Sequence, residues 1–363
     1  MQDPVHVLIS GGVDSSVALA RLREAGYTNL TAYYLKIWLE DELSSLGECP
    51  WEEDLAFARS VCSSLQVPLE VVPLQLEYYD RVVEYTLAEL RKGHTPSPDI
   101  FCNQRIKFGA FLEHLDKPGW IASGHYARIV RHSHEVQLHR APDPVKDQTY
   151  FLSHLSQEQL GRLMFPVGDL PKGEVRRLAA QYRLANMDRP DSQGICFLGK
   201  IRYPEFVRHY LGEASGDIVE RETGTVLGTH MGYWFHTIGQ RQGLGLGNGP
   251  WYVTGKDAGQ NVIYVSHQTT VAEAARQTLY LNEFNWIGSI SPSGRYGVKL
   301  RHGPHIEPCS VQLCDAEART LRVHLDHADR GAAPGQFGIL YDGERCLGGG
   351  MIADAKEDSA CVS

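Results

Sequence analysis

Seven residues near the start of the chain constrain its fold more than any others. The apolar run Val5-His6-Val7-Leu8-Ile9 has the make-up of a buried strand, and it leads directly into Ser10-Gly11-Gly12-Val13-Asp14-Ser15-Ser16. Val17, Leu19, Ala20 and Leu22 then mark an amphipathic helix. A strand that turns through glycine into a helix aims the helix N-terminus and several backbone N–H groups at one point, which suits a phosphate or pyrophosphate. Gly11 and Gly12 let the main chain approach such an anion with no Cβ in the way. Leu8, Ile9 and Val13 frame the turn, while Ser10, Ser15 and Ser16 add hydroxyl donors. Asp14 is placed to position a metal ion or to cap the helix. No Gly-Lys-Ser/Thr follows, so this is not the Walker loop of phosphoryl-transfer NTPases. The competing reading is a plain strand-to-helix turn with a Ser/Asp cap, and the seven residues together favour a nucleotide site.

The string resembles the PP-loop of N-type ATP pyrophosphatases. That resemblance implies ATP, with Mg2+, as the nucleotide, split into AMP and pyrophosphate to activate a substrate oxygen. At 363 residues the chain has room for two or three domains, and 42% hydrophobic with 22% charged residues is the balance of a soluble globular protein. No apolar run approaches the ~20 residues of a membrane span, and no signal or transit pattern follows Met1. The expected setting is a bacterial cytoplasm, or an organellar matrix or stroma if a transit peptide has been removed. Eight cysteines without paired spacing argue against both a disulfide scaffold and a zinc ribbon. A net charge of −9 points away from nucleic acid for the chain as a whole. Basic residues do cluster locally: Arg91, Lys92, Arg105 and Lys107 flank one loop, and Lys172, Arg176, Arg177, Arg183 and Arg189 gather later. Each cluster reads either as an RNA footprint or as a solvated helix face.

Strand patterns at 5–9, 31–37, 69–73 and 120–122 alternate with helical patterns at 16–26, 53–66, 76–92 and 104–115. This is the signature of an α/β, doubly wound parallel sheet. Ligands bind such sheets beyond the carboxyl ends of the strands, where Ser10–Ser16, the segment after Lys36 and Ser123-Gly124-His125-Tyr126 would converge. Further helical patterns cover 157–164, 174–183 and 203–211. From Gly216 onward short alternating runs such as Trp251-Tyr252-Val253 and Val262-Ile263-Tyr264-Val265 take over, and 278–352 reads as six or so strands of a small barrel or sandwich. We expect a catalytic domain over 1–211, a small central domain over 212–276 and a β-barrel domain over 277–353, with a polar tail from Asp354.

Two cysteines have informative neighbours. Cys102 follows Thr95-Pro96-Ser97-Pro98-Asp99-Ile100-Phe101, a proline-stiffened loop, and a helix is expected from Asn103 or Gln104. A thiol at a helix N-terminus is favoured as thiolate, and Asp99 is within reach to act as acid or base on a shared substrate. The alternative is a buried structural cysteine beside an N-cap aspartate. Cys196, in Asp191-Ser192-Gln193-Gly194-Ile195-Cys196-Phe197-Leu198-Gly199, reads as core or as catalytic. Cys49, Cys62, Cys309, Cys314, Cys346 and Cys361 read as structural. The histidines at 132, 134 and 139 lie on an expected surface hairpin at a spacing that does not suit a metal; no metal ligands are assigned.

The motifs Ser10–Ser16, Pro98–Asn103, Ala122–Tyr126, Lys146-Asp147-Gln148-Thr149-Tyr150-Phe151, Phe165–Gly168, Gly194-Ile195-Cys196-Phe197, Thr237–Arg241, Pro250–Val253, Pro334-Gly335-Gln336 and Cys346–Gly350 together resemble the tRNA-specific 2-thiouridylase family. The resemblance spans almost the whole chain. It implies ATP-dependent sulfur insertion at C2 of the wobble uridine of tRNAs of the Lys, Glu and Gln type, through adenylation of O2. It places a persulfide on Cys196, the nucleophile at Cys102, an acid/base at Asp99 and a Cys102–Cys196 disulfide after transfer. It further implies adenine-side contacts at Leu35 and Gly124. The implied tRNA contacts are Ser97, Pro98, Asp99, His125, Lys146, Asp147, Gln148, Arg301, His302 and Gln336. The implied partners are tRNA and a cysteine desulfurase or relay protein as sulfur donor, with no membrane and a monomeric chain. Three departures stand out: Leu35 where methionine is usual, Ser97 for asparagine, and Arg301-His302-Gly303-Pro304 for Arg-Tyr-Arg. The alternatives are another PP-loop synthetase activating a small-molecule carbonyl, and a binding protein with a degenerate loop.

Overall fold

The computed structural model describes residues 3–37, 51–191, 201–267, 275–317 and 319–354. Strand β1 (Val5–Leu8) is buried at all four positions, as a central strand covered on both faces must be. It lies between β2 (Leu30–Lys36) and β4 (Trp120–Ala122), with β3 (Leu69–Pro73) outside β2 and β7 (Leu163–Met164) outside β4. All four pairings of this β3-β2-β1-β4-β7 sheet are parallel. Successive side chains of β1 serve opposite layers. Val5 and Val7 pack with α1 (Val13–Glu24), α2 (Trp51–Leu65) and the later α7 (Lys172–Gln181), whereas Leu8 joins the core under the helices of the other face. This is the doubly wound sheet expected from the alternating pattern.

Two helix starts differ from the sequence expectation, while the helix expected over 76–92 forms at 75–91. Helix α1 starts at Val13 rather than residue 16, because Gly12 takes extended backbone (φ −79°, ψ 159°) and ends the turn at once. Helix α3 is continuous from Gln75–Tyr78 through a π-helical stretch, Tyr79–Val83, to Glu84–Arg91. Helix α4 begins at Pro98, not at 103 or 104, and runs through Phe101 into a π-helical stretch, Cys102–Ala110, and on to Glu113. Proline at the first helical position sacrifices no hydrogen bond, so the Pro98 that looked like a helix barrier is its start. Short helices α5 (Thr149–Leu152) and α6 (Gln157–Gly161) precede β7, a strand that had read as helix.

After α8 (Tyr203–Leu211) comes a four-stranded sheet of β8 (Gly216–Glu220), β9 (Val226–His230), β10 (Trp251–Asp257) and β11 (Val262–His267), ordered β10-β11-β8-β9. Six antiparallel strands then close a barrel: β12 (Arg276–Trp286), β13 (Gly294–Lys299), β14 (Glu307–Asp315), β15 (Thr320–Asp329), β16 (Phe337–Asp342) and β17 (Arg345–Ile352). Closure is made by the β12–β17 pairing, which removes the sheet edges.

The hairpin of β5 (Ala127–Arg131) and β6 (Val136–Arg140) does not lie free on the surface. It adds to the barrel through Cys346↔Leu138 and Arg345↔His139, so the first domain donates two strands to the last. The apolar core around α3 and α4 likewise includes Phe337, Ile339, Tyr341 and Cys346 of the barrel wall. Among the described residues no helix is long and apolar enough to cross a membrane.

Candidate functional site

The turn after β1 has the geometry that its glycines suggest. Gly11 has φ +74°, and a Cβ there would lie 2.3 Å from the carbonyl oxygen of Asp54 at the start of α2. Gly12 caps α1 with no side-chain hydrogen bond, so no side-chain cap occupies the amides of the helix's first turn. Ser15 and Ser16 turn their hydroxyls inward to Gly12 O (3.1 and 3.0 Å), and Ser15 Oγ also accepts from Ser10 N at 3.2 Å. Ser10 is exposed at the mouth. The loop is thus braced by its own serines, with Ser10 exposed and Asp14 partly exposed.

A network around this loop had no signal in the sequence beyond its charges. Asp14 Oδ1 accepts from Tyr126 Oη at 2.7 Å and from Lys172 Nζ at 2.6 Å. Lys172 also pairs with Asp191 at 2.8 Å, and Asp191 holds Lys146 (2.7 Å) and Arg176. Burial pushes the Asp191 carboxyl up, but hydrogen bonds from Lys146 and Lys172 outweigh it and hold the group well below the usual range. Asn186 donates to Gly11 O (2.7 Å) and Ser16 Oγ (2.9 Å), and Arg189 bonds Gly11 O (3.2 Å) and pairs with Asp54. The basic stretch from Lys172 to Arg189 thus braces the loop: Lys172, Arg176 and Arg189 are engaged in ion pairs, and Arg177 pairs with Glu174. The solvated-face reading holds for Arg177 and Arg183, which are exposed, and not for Lys172, Arg176 and Arg189.

The segment after β4 meets the loop directly. A Cβ on Gly124 would come within 2.6 Å of Ser15 N and 2.7 Å of the Asp14 carbonyl carbon, so only glycine allows this packing. Leu35, near the carboxyl end of β2, packs half-buried against the α3–α4 core. His125 bonds Ser123 Oγ through Nδ1 at 2.7 Å and sits between Phe108 and Phe165, each 5.7 Å away. Burial, aided by the Lys107 ammonium, keeps its imidazole far below the ordinary histidine range. It is a neutral ring at pH 7, suited to hydrogen bonding rather than to pairing with phosphate.

Because α4 starts at Pro98, Asp99 and Cys102 stand three residues apart on one helical face. The expectation that a helix N-terminus acts on the Cys102 thiol is not met. Cys102 N–H already bonds Asp99 O and Pro98 O, past the turn where the dipole is felt. Cys102 is 1% exposed. The link from this helix to the loop after β1 runs through Phe108 and His125 to Gly124. Cys196 lies outside the described residues. Cys62, Cys309 and Cys346 are buried, and burial pushes their thiols up to about 11, 12 and 12. Cys49 and Cys361 lie outside the described residues.

The remaining positions divide. Ser97 precedes α4, and Pro98 is buried. His302, on the barrel, stacks on Phe151 (4.7 Å, 26°), reaches Asp147 O at 3.2 Å and lies within electrostatic reach of Asp99. This brings the barrel to the head of α4. Arg301 is exposed and pairs with Asp329; Gln336 is half-buried beside the Ala333 turn. Gln148 accepts from Tyr126 N at 2.9 Å. Asp147 differs in kind: it is 1% exposed, and its carboxylate meets Lys299 at 2.8 Å and Thr149 Oγ1 at 2.9 Å. As it stands, that carboxylate faces the seam between the barrel wall and the first domain rather than a solvent-borne ligand. Among the described residues no group of three or more His, Cys, Asp or Glu side chains is arranged to hold a metal ion.

A parallel sheet whose strand order reverses between β1 and β4, with a Ser-Gly-Gly-Val-Asp-Ser-Ser turn at that switch point, defines a PP-loop nucleotide-binding protein. Residues 3–200 match the family model described as tRNA methyl transferase HUP domain. Residues 204–267 match the tRNA methyl transferase PRC-barrel domain, and 276–352 the Aminomethyltransferase beta-barrel domain. The tRNA-specific 2-thiouridylase MnmA of Parabacteroides distasonis is 44% identical over 358 residues, which cover 96% of this chain and 99% of that protein. MnmA 1 of Bacteroides thetaiotaomicron is 44% identical over 96% and 99%, and MnmA of Porphyromonas gingivalis 42% over 97% and 99%. The chain belongs to this tRNA-specific 2-thiouridylase family. The solved structure titled U34-tRNA thiolase NcsA from Methanococcus maripaludis with its [4Fe-4S] cluster covers 53% of this chain and 61% of its own. It does so at 17% identity and a TM-score of 0.33, too low to carry an argument.

Proposed function

We propose that this protein is the ATP-dependent enzyme that replaces O2 of wobble uridine 34 in tRNAs of the Lys, Glu and Gln type with sulfur. The carrying observation is the similarity to relatives named tRNA-specific 2-thiouridylase, at 44% identity over 96% of the chain. The domains would divide as 1–211, 212–276 and 277–353, with a monomer binding one tRNA in a cytoplasmic setting.

Uridine O2 attacks the α-phosphorus of ATP held at Ser10–Ser15, pyrophosphate leaves, and the inert carbonyl oxygen becomes part of an AMP leaving group. The bare amides of the first turn of α1, with no Cβ at Gly11 or Gly12, fit a polyphosphate. Leu8, Ile9, Val13, Leu35 and Gly124 wall the nucleotide. Asp14, the one carboxylate of the loop, would help to hold a Mg2+ ion brought in with the phosphates, and such an ion would supply charge neutralisation for the departing pyrophosphate.

Asp99 takes up or returns the proton during activation, and its place on the Cys102 face of α4 supports that role. A cysteine desulfurase or relay protein loads Cys196 as a persulfide. The Cys102 thiolate attacks the Cys196 Sγ, the S–S bond breaks, and hydrosulfide leaves to attack C2 and expel AMP. The resulting Cys102–Cys196 disulfide is reduced by an external dithiol. Alternatively the terminal persulfide sulfur attacks C2 and expels AMP, and the Cys102 thiolate then attacks the Cys196 Sγ of the adduct, breaking its S–S bond to free 2-thiouridine and leaving the same Cys102–Cys196 disulfide. tRNA is gripped between the two ends of the molecule by Ser97, Pro98, His125, Lys146, Gln148, Arg301, His302 and Gln336.

The test is in vitro thiolation with ATP and a persulfide source, read as retarded tRNA on a mercury-containing gel and as AMP release. We expect thiolation by the wild type, none by Cys102→Ala or Cys196→Ala, and continued AMP formation by Cys196→Ala. Thiolation indifferent to both cysteines would overturn the mechanism, and no thiolation by the wild type would overturn the function.

A further inference from the structure

The Ser10–Ser16 loop carries a carboxylate but no basic residue, although a nucleoside triphosphate brings several negative charges to it. Around the loop, Lys146, Lys172, Arg176 and Arg189 are matched by Asp14, Asp54, Asp143 and Asp191. This network has no surplus positive charge, so a phosphate must take a cation away from a carboxylate. Three of the four cations do not reach a loop side chain. Arg189 holds Gly11 O and Asp54, Arg176 holds the carbonyls of Met187 and Arg189 as well as Asp191, and the Lys146 ammonium pairs with Asp191, away from the loop side chains.

Lys172 differs. Alone of the four it reaches a side chain of the loop, Asp14 at 2.6 Å, while its main chain is pinned separately by Lys172 N donating to Asp143 at 3.2 Å. Its side chain is 14% exposed, and with Asp14 and Asp191 taking two donors of the ammonium, a third is left.

We propose that Lys172 is the polyphosphate-binding cation of this site, its ammonium exchanging Asp14 for phosphate oxygens when the nucleotide binds. It would supply from the head of α7 the point charge that a Walker loop carries within itself. The inference rests on the reading that the loop takes ATP. It gives Lys172 and Asp14 opposite effects on phosphate: the lysine attracts it, and the aspartate competes with it for the lysine.

Calorimetric titration of the full-length, tRNA-free protein with inorganic pyrophosphate in EDTA separates them, with thermal unfolding to confirm folding. We expect Lys172→Met to weaken binding about tenfold to a hundredfold, from the loss of a charge-assisted hydrogen bond. Lys172→Arg should restore most of it, and Asp14→Asn should bind as tightly as wild type or more so. If Lys172→Met does not fold, the other two variants decide. Wild-type affinity in Lys172→Met, equal weakening by Lys172→Met and Asp14→Asn, or no pyrophosphate binding by the wild type would each overturn the proposal. Failure of tRNA thiolation with pyrophosphate binding intact would strike the functional reading and leave this one standing.

Discussion

A buried histidine couples folding to pH in a direction set by which state takes up the proton. His154 is 8% exposed, and burial, with Arg105 and Arg319 nearby, lowers its imidazole to about 4. His236 is also lowered to about 4, by burial and then by His230 and Lys256. Both folded-state values lie below the unfolded value near 6.5, so between these limits the unfolded chain binds protons that the folded chain refuses. Stability should therefore fall as pH drops from about 6.5 toward 4, by roughly 1–2 kcal/mol per histidine at pH 5. Urea midpoints at pH 7 and pH 5 check this, and a slope unchanged in His154→Asn would refute the assignment to that residue. Burial governs reactivity as well. Cys102 is 1% exposed, whereas Cys314 is partly open. Iodoacetamide should label Cys314 well before Cys102 in the tRNA-free protein, as read by peptide mass mapping.

Between elements, contact distances are what limit substitution. The loop after β4 touches the first turn of α1 at Gly124, where a Cβ would lie 2.6 Å from Ser15 N. Gly124→Ala must part these two segments. We expect a loss of about 1–3 kcal/mol in stability, typical of overpacking, together with weaker ATP binding by calorimetry; wild-type values for both would contradict the packing described. Helix α4 shows how local signals were read the wrong way round. Pro96 and Pro98 suggested a rigid loop with a helix after Cys102, but the chain uses Pro98 as a helix start. Nothing in the local sequence decides between these uses. Burial of Ile100, Phe101 and Ile106 in the core shared with the barrel settles it. Strand β7 was missed for a similar reason: two residues, Leu163 and Met164, have no period of their own and become a strand only because β4 offers a free edge.

Across the whole molecule, the barrel is built into the catalytic domain rather than tethered to it. The hairpin β5–β6 extends the barrel sheet, Arg128 pairs with Glu344 at 2.6 Å, and Asn285 bonds Ser153 O and Leu155 O. At the centre of this seam Lys299 of β13 meets Asp147 at 2.8 Å with both side chains fully buried. Removing one partner of such a pair leaves an uncompensated buried charge and costs about 3–5 kcal/mol. Lys299→Met and Asp147→Asn should each destabilise by that order, and the double variant by less than their sum. Additive losses in denaturant unfolding would mean that the pair is not coupled. Since Lys146 and Gln148 flank Asp147, these variants should also disturb the loop network near Asp191.

The residues alone determined the β1–turn–α1 unit, the parallel α/β sheet, the β-rich second half with its six barrel strands, and the nucleotide loop. These rest on short-range physics: strand and helix periodicity, and the freedom of Gly11 to adopt φ +74° beside Asp54. The motifs of the family were legible for the same reason, as contiguous strings. Only the tertiary structure decided that Lys172, Arg176 and Arg189 brace the loop, that His125 is neutral, that Asp147 is a buried anchor and that the 127–140 hairpin belongs to the barrel. Apart from the short-range contacts of Arg176, each depends on partners more than a hundred residues away or on desolvation. Charge and exposure at such positions belong to the fold as a whole, and no local stretch of sequence carries them.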